Sequence, residues 1–187
     1  MRLNLDNSLK AAKSLLGWKL VNKTPDGIIS GYIVETEAYS MLDGASHSFK
    51  GSTGRTWPMF EKSGTIYVYF TYGMHYLFNI VTAEIGNGQA VLIRAIEPVN
   101  GIDLMKQRRG LNIEDLQLTN GPAKLVQAMG ITGSYNGTNI FDKACKLHLE
   151  TGIKPKEITQ TTRIGIKNAT DLPWRFYITD NPYISKK

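Results

Sequence analysis

The spacing of apolar residues predicts one helix near the N-terminus and then a succession of strands. Apolar residues recur at helical intervals over 9–16, where Asp6 or Asn7 can cap the helix and Gly17 ends it. Runs rich in β-branched and aromatic residues, separated by Gly, Pro, Asn and Asp, predict strands over 18–22, 28–39, 65–71, 75–82 and 90–95.

The second half of the chain continues with two helices and shorter strands. A basic helix is predicted over 101–109, and a second helix opens at Asn120 with Pro122 in its first turn and stops at Gly130. The short strand candidates are 146–149, 163–166 and 174–178. Short strands with few helices predict an α+β fold, with peripheral helices around a curved, mainly antiparallel β-sheet. We expect one domain over residues 1–187.

The strand over 32–39 carries two carboxylates within a β-favouring sequence, Y-I-V-E-T-E-A-Y. Because strand side chains alternate, Glu35, Glu37 and Tyr39 are predicted to share one face with Ile33. The two carboxylates would lie roughly 6.6 Å apart along the backbone. This spacing resembles that of the carboxyl pairs that hydrolyse glycosidic bonds. A strand edge with two solvated acids would show the same pattern.

Composition and charge narrow the class of protein. The 187 residues include 22 Lys and Arg against 16 Asp and Glu, a net charge of +6, which suits a polyanion such as nucleic acid without requiring one. The single Cys145 excludes an intramolecular disulfide and any multi-cysteine zinc site. No apolar run reaches signal-peptide or membrane-span length, so we expect a soluble cytoplasmic protein, associated with the nucleoid if the source is prokaryotic.

The predicted hairpin over 65–79 concentrates aromatic side chains. Tyr67 and Tyr69 share a face, and Tyr72 lies at the apparent tip beside Gly73. An exposed aromatic on a tight turn can act as a wedge between base pairs, and tyrosines such as Tyr69 can stack on a displaced base. Tyrosines in strands are also ordinary core or sheet-face residues, and that alternative stays open.

Three further polar residues interrupt apolar surroundings or occupy a long loop. His47 belongs to the loop 40–60 and could donate to a substrate or orient a water, although an idle surface histidine is the alternative. Arg94 ends an apolar strand and needs a partner, for which Glu37 is the natural candidate. Asn79 interrupts an apolar strand and needs hydrogen-bond partners. The remaining histidines lack ligand-like spacing, so no metal site is expected.

Several sequence blocks together resemble the alkyladenine (3-methyladenine) DNA glycosylase family over almost the whole chain. The blocks are V-E-T-E-A-Y (34–39), H-S (47–48), G-T-I-Y-V-Y-F-T-Y-G-M-H-Y (64–76), F-N-I (78–80), V-L-I-R-A-I-E-P (91–98), N-G-P-A-K-L (120–125), R-I-G-I (163–166) and P-W-R-F-Y-I (173–178). Their number and order make the resemblance much more specific than any single motif.

The resemblance implies a base-excision repair enzyme without a cofactor. Such an enzyme flips an alkylated or deaminated purine out of duplex DNA and hydrolyses its N-glycosidic bond, leaving an abasic site. Its substrates would include 3-methyladenine, 7-methylguanine, hypoxanthine and ethenoadenine. A β-hairpin would protrude into the minor groove, and the absence of a candidate lysine nucleophile implies a monofunctional glycosylase.

The resemblance also assigns catalytic and DNA-contacting residues. It implies that Glu37 is the general base that activates the attacking water, and that Arg94 and the backbone carbonyl of Ile164 help to hold that water. Glu35 would then be a structural acid rather than a second catalyst. For contact with DNA, it implies that Tyr72 fills the gap left in the duplex, with Met74 beside it in the groove.

The base pocket follows from the same resemblance. Tyr39 and Tyr69 would stack on the flipped base, His47 would form a hydrogen bond to it, and Asn79 would exclude the exocyclic amine of guanine. The chain departs from the family pattern in two places. The loop between Tyr39 and His47 is short, and His75 occupies a hairpin position where an aromatic residue is expected.

Two other functions remain compatible with the residues alone. A non-catalytic nucleic-acid-binding module would use the basic surface and the hairpin, ignore lesions and tolerate loss of Glu37. A hydrolase for free nucleosides would show weak salt dependence, whereas an enzyme that binds duplex DNA should weaken steeply as salt rises. For the glycosylase that the resemblance implies, one subunit would suffice, so we expect a monomer with double-stranded DNA containing damaged purines as its partner.

Overall fold

The computed structural model describes residues 2–71, 73 and 75–186. Within this part of the chain it contains three α-helices and eight strands. The helices are α1 (Ser8–Leu15), α2 (Ile102–Arg109) and α3 (Pro122–Met129). The strands are β1 (Lys19–Thr24), β2 (Gly27–Tyr39), β3 (Ile66–Thr71), β4 (His75–Val81), β5 (Ala90–Asn100), β6 (Leu147–Glu150), β7 (Ile158–Thr161) and β8 (Arg175–Ile178).

The strands form one antiparallel sheet in which β2 is central. The main order is β3-β4-β5-β2-β1-β6, and the hairpin of β7 and β8 joins the sheet through β8. On one side β2 pairs along its length with β5, and on the other it pairs first with β1 and then with β8. The sheet is curled into a half-barrel, which confirms the predicted α+β class.

The helices cover one face of the sheet and leave the other face to the site. Ile66 and Val68 of β3, Phe78 and Ile80 of β4 and Ile93 of β5 belong to the main apolar core with α1 and α3. Because side chains alternate along each strand, the intervening residues of β3, β4 and β5 lie on the opposite face. The side chains on that opposite face include Tyr67, Tyr69, Asn79, Leu92 and Arg94.

Three irregularities lie where β2 pairs with β5, and the two that flank Glu35 offset each other. Ile33 pairs with Ile96 and Glu35 with Ala95, so Val34 is an extra residue on β2. Thr36 then pairs with Ile93, so Arg94 is an extra residue on β5. A bulge of this kind re-aims side chains and is often found beside an active site.

The bulge at Val34 makes one predicted face assignment wrong. Ile33 packs in the main core, on the same side as Ala38, rather than with Glu35 and Glu37. Strict alternation fails here because the extra residue, Val34, reverses the sequence of faces and packs in a separate cluster with Ile184.

The predicted strand over 163–166 is also wrong. That segment is irregular, and the nearby strand is β7, at Ile158–Thr161. Gly165 has φ +76, outside the extended region, and the polar groups of Arg163 and Ile164 bind other parts of the fold instead of a neighbouring strand. Tyr72 and Met74, the predicted DNA contacts, lie outside the described residues.

Candidate active site

Glu37 is a fully buried carboxylate held by two hydrogen bonds and one ion pair. It lies near the end of β2, where β5 and β8 pair on either side. The Tyr39 hydroxyl donates to its Oε2 at 2.7 Å, and the Ile164 backbone N–H donates to its Oε1 at 2.8 Å. The Nη1 of Arg94 lies 3.3 Å from the same Oε1. These donors stabilise a negative charge and fix the orientation of the carboxylate.

Glu35 forms a second buried acid site behind Glu37. It accepts hydrogen bonds from Arg175 Nη1 at 2.8 Å and from the backbone N–H and hydroxyl of Ser185 at 2.6 and 2.9 Å. The Nε of Arg94 lies 3.3 Å from Glu35 Oε1. The two groups form an ion pair, but no hydrogen bond joins these two atoms. Arg94 therefore bridges the two carboxylates, and Glu35 is occupied by structural partners.

A cavity of about 450 Å³ opens beside Tyr39, Arg94 and Ile164, the three partners of Glu37, whereas the buried Glu37 is not itself part of the cavity wall. Six of the residues predicted for catalysis or base binding line it: Tyr39, His47, Tyr69, Asn79, Arg94 and Ile164. Its wall also contains residues that sequence reasoning did not assign to the site, among them Met59, Tyr67, Leu77, Leu92 and Lys167. The structure thus brings the predicted residues together, while their chemical roles stay predictions.

Tyr39 connects the cavity to the carboxylate of Glu37. Burial raises the pKa of the Tyr39 hydroxyl well above its ordinary value, and the negative charge of Glu37 and the hydrogen bond to it act in the same direction. The hydroxyl therefore remains protonated and donates to Glu37. The guanidinium of Arg163 lies 4.7 Å from the centroid of the Tyr39 ring, so one face of the ring is covered by a cation.

Arg163 is part of a buried ion pair that the sequence did not reveal. Its guanidinium binds both carboxylate oxygens of Asp43, and neither side chain is exposed. It also donates to the carbonyls of Ala38 at 3.0 Å and Ala169 at 3.3 Å. Arg163 thereby joins the end of β2, the loop 40–60 and the segment that carries Ile164.

The loop 40–60 is ordered by contacts that place His47 at the cavity. A short 3₁₀-helix, His47–Lys50, begins after Ser46, whose hydroxyl accepts from the Ser48 N–H. The Ser48 hydroxyl donates to the carbonyl of Gly88 at 2.6 Å. A Cβ at Gly88 would lie 2.7 Å from the Ser48 Cβ, so glycine permits this close approach.

The His47 ring is fixed by hydrogen bonding and aromatic packing. Its Nδ1 lies 3.0 Å from the Tyr67 hydroxyl and 3.4 Å from Arg55 Nη1. Its ring meets that of Tyr69 edge to face, with centroids 4.5 Å apart. Burial, reinforced by the positive charge of Arg55, lowers the pKa of His47 to about 4. At neutral pH the imidazole is uncharged.

We expect His47 to titrate near pH 4 in an NMR titration of the folded protein, with His47→Gln identifying its signal. The unfolded chain takes up this proton near pH 6.5, before the folded protein does. The contribution of His47 to stability is therefore complete above pH 6.5 and is lost as the pH falls toward 4. A His47 midpoint above 6 would contradict the burial of its ring.

Asn79 is held in place by the backbone of the neighbouring strand. Its Nδ2 donates to the carbonyl of Tyr67 at 3.1 Å, and the two residues are cross-strand partners in the β3–β4 pair. The residue is only 5% exposed, at the wall of the cavity. Its side chain is therefore a rigid part of the wall.

The described residues contain no cluster of three or more His, Cys, Asp or Glu side chains that could hold a metal ion. In the same part of the chain, no helix combines the length and apolar character needed to cross a membrane.

Comparison with known proteins gives this arrangement its class. A family model described as methylpurine-DNA glycosylase matches residues 3–182. The protein is therefore a DNA glycosylase, a hydrolase of DNA repair that takes DNA as its substrate. More particularly, the chain belongs to the methylpurine-DNA glycosylase family. Because this family consists of enzymes, its assignment argues against the alternative of a non-catalytic nucleic-acid-binding module.

Curated relatives agree over nearly the full length. The chain is 49% identical over 183 residues to a protein of Francisella tularensis subsp. tularensis, with 96% of this chain and 94% of the relative covered. It is 48% identical over 181 residues to one of Carboxydothermus hydrogenoformans, with the same coverage, and 50% identical over 181 residues to one of Prosthecochloris aestuarii, with 96% and 86% covered. All three relatives are named "Putative 3-methyladenine DNA glycosylase".

Proposed function

We propose that the protein flips alkylated or deaminated purines out of duplex DNA and hydrolyses their N-glycosidic bonds with a water activated by Glu37. The candidate substrates are 3-methyladenine, 7-methylguanine, hypoxanthine and ethenoadenine. The observation that carries the proposal is the buried Glu37 carboxylate, oriented by Tyr39, Ile164 and Arg94, which themselves line a cavity of about 450 Å³.

A buried carboxylate can reach a glycosidic bond of duplex DNA only if the nucleotide leaves the stack. The cavity volume lies within the range of small-molecule sites and can enclose a purine. Tyr39 would stack through the ring face that Arg163 does not cover, with Tyr69 contributing the other aromatic surface. The Nε2–H of His47 would donate to the base edge.

In the proposed reaction, a Glu37 oxygen takes a proton from water as the water oxygen forms a bond to C1′ of the sugar. The C1′–N9 bond breaks, and its electron pair leaves with the base. A cationic alkylated purine leaves as a neutral molecule, whereas hypoxanthine needs a proton from another donor. Arg94, already paired with Glu37, would keep the carboxylate and the water in line.

The proposed product is an abasic site with an intact strand. Lys167 lines the cavity, but the water route requires no covalent bond to it. We therefore expect strand breaks only after alkali, and no adduct when borohydride is added during the reaction. All residues assigned to the site come from one chain, so we propose that the enzyme acts as a monomer.

Base release tests the proposal directly. Duplexes with a single hypoxanthine or treated with a methylating agent are incubated with the protein, and the free bases are separated and quantified alongside alkali-induced strand breaks. We expect purine release equal in amount to the breaks, none from an undamaged duplex, and a steep loss of activity as salt rises. Protein that binds both damaged duplexes without releasing a base would contradict the proposal.

A further inference from the structure

Arg55 places a positive charge next to Nδ1 of the His47 ring. Its Nη1 lies 3.4 Å from His47 Nδ1, on the same ring atom that the Tyr67 hydroxyl contacts at 3.0 Å. Its charge also helps to lower the pKa of His47. Among the residues that the structure describes, no acidic side chain forms an ion pair with Arg55.

The contact with Arg55 determines which ring nitrogen of His47 carries hydrogen. A tyrosine hydroxyl can either donate or accept, so the bond to Tyr67 alone permits both tautomers. A guanidinium can only donate. Nδ1 is therefore the acceptor, and the hydrogen lies on Nε2, which bonds to no residue in the described part of the chain. The Nε2–H of the uncharged His47 ring is thus available to donate a hydrogen bond to a base bound in the cavity.

The other arginines of the site are neutralised by neighbouring acids. Arg94 lies between Glu35 and Glu37, and Arg163 is bound by Asp43. Arg55 has no such partner among the described residues. It is exposed and lies outside the cavity wall, so its charge reaches the cavity through the His47 ring in partly screened form, in addition to the charge of Lys167, which lines the cavity. A positively charged base at this position is repelled, whereas a neutral base that presents an oxygen to Nε2–H is not.

We propose that Arg55 is a specificity-determining residue that favours neutral deaminated purines over cationic alkylated purines. The proposal rests on the proposed function, since it concerns the base bound in the same cavity. Arg55 acts through its charge and through the tautomer of His47, and it does not contact the water or Glu37. It therefore changes the ranking of lesions rather than the chemical step.

The test compares hypoxanthine with 7-methylguanine in one duplex sequence. Both bases carry an oxygen at position 6, but only 7-methylguanine is cationic. Its 2-amino group, which Asn79 would face, is the same in every variant and therefore does not change the comparison between variants. The kcat/KM values of both are measured for the wild type, Arg55→Gln and Arg55→Lys, with Lys50→Gln as a control for loss of an exposed cation from the same loop. A general loss of DNA affinity cancels in the ratio of the two values.

We expect Arg55→Gln to lower the hypoxanthine to 7-methylguanine ratio about threefold, the effect of one partly screened charge. Arg55→Lys and Lys50→Gln should keep the wild-type ratio. Nitrogen NMR of the wild type should show hydrogen on His47 Nε2, and Arg55→Gln should mix the tautomers. An unchanged or increased ratio in Arg55→Gln overturns the inference alone, whereas a wild type that releases neither base overturns the proposed function with it.

Discussion

Glu37→Gln is expected to lower the single-turnover rate of base excision about 10³-fold while leaving affinity for damaged DNA within a few-fold of wild type. The amide has nearly the same shape and can still accept from the Ile164 N–H, but it cannot take a proton from water. The substitution therefore removes the proposed general base and keeps most of the side-chain packing. Rates are measured at saturating enzyme, and affinity by fluorescence anisotropy on a hypoxanthine duplex.

The matched control is Glu61→Gln, which makes the same chemical change at an exposed acid outside the cavity. It should excise bases at the wild-type rate. A Glu37→Gln protein that keeps more than a tenth of the wild-type rate, with an unchanged melting temperature, would rule out Glu37 as the base.

Asp43→Ala is expected to lower the free energy of unfolding by about 3–5 kcal/mol, the usual cost of leaving a buried charge without its partner. Asp43 and Arg163 have no exposed side-chain surface, so the substitution leaves the guanidinium buried with only the carbonyls of Ala38 and Ala169 as hydrogen-bond partners. The aromatic rings of Tyr39 and Trp174 beside the guanidinium recover only part of this cost. Urea unfolding monitored by tryptophan fluorescence gives the free energy.

Asp26→Ala provides the comparison for an exposed pair. Asp26 binds Arg108 at 3.0 Å, but 64% of its side chain is exposed. Its removal should cost less than about 1 kcal/mol. If Asp43→Ala were no more destabilising than Asp26→Ala, the buried pair would not hold the loop 40–60 against the rest of the site.

Local sequence patterns predicted most elements because their causes are local. The cap of α1, for example, is the Asn7 side chain, which accepts from the N–H of Lys10 three residues away. The same holds for the Gly130 terminus of α3, which has φ +66. Alternation likewise predicted that Tyr67 and Tyr69 share a face. It failed at Ile33, because a bulge depends on the partner strand and leaves no local signature.

The residues of the site also fall into two groups: those that local sequence patterns predict and those that depend on distant parts of the chain. Glu37, Tyr39 and Arg94 were predicted because polar groups within β-favouring runs need partners, and the family resemblance supplied their roles. Asp43 and Arg163 are 120 residues apart in sequence, and Ser185 lies 150 residues from Glu35. No periodicity connects such distant positions. The assignment of 163–166 to a strand also concealed the use of the Ile164 N–H by Glu37.

The two offsetting bulges have a consequence for how this enzyme can change over evolution. At this point each strand carries one extra residue, Val34 on β2 and Arg94 on β5, so the register of the Ile33–Ile96 pair is the same as that of the Thr36–Ile93 pair. Loss of a residue from only one strand would shift the pairing by one residue, so the side chains of Glu37 and Arg94 would no longer lie on the same face of the sheet. Substitutions can accumulate here singly, but insertions and deletions must occur in both strands together, which makes strand length a heritable constraint on the geometry of the site.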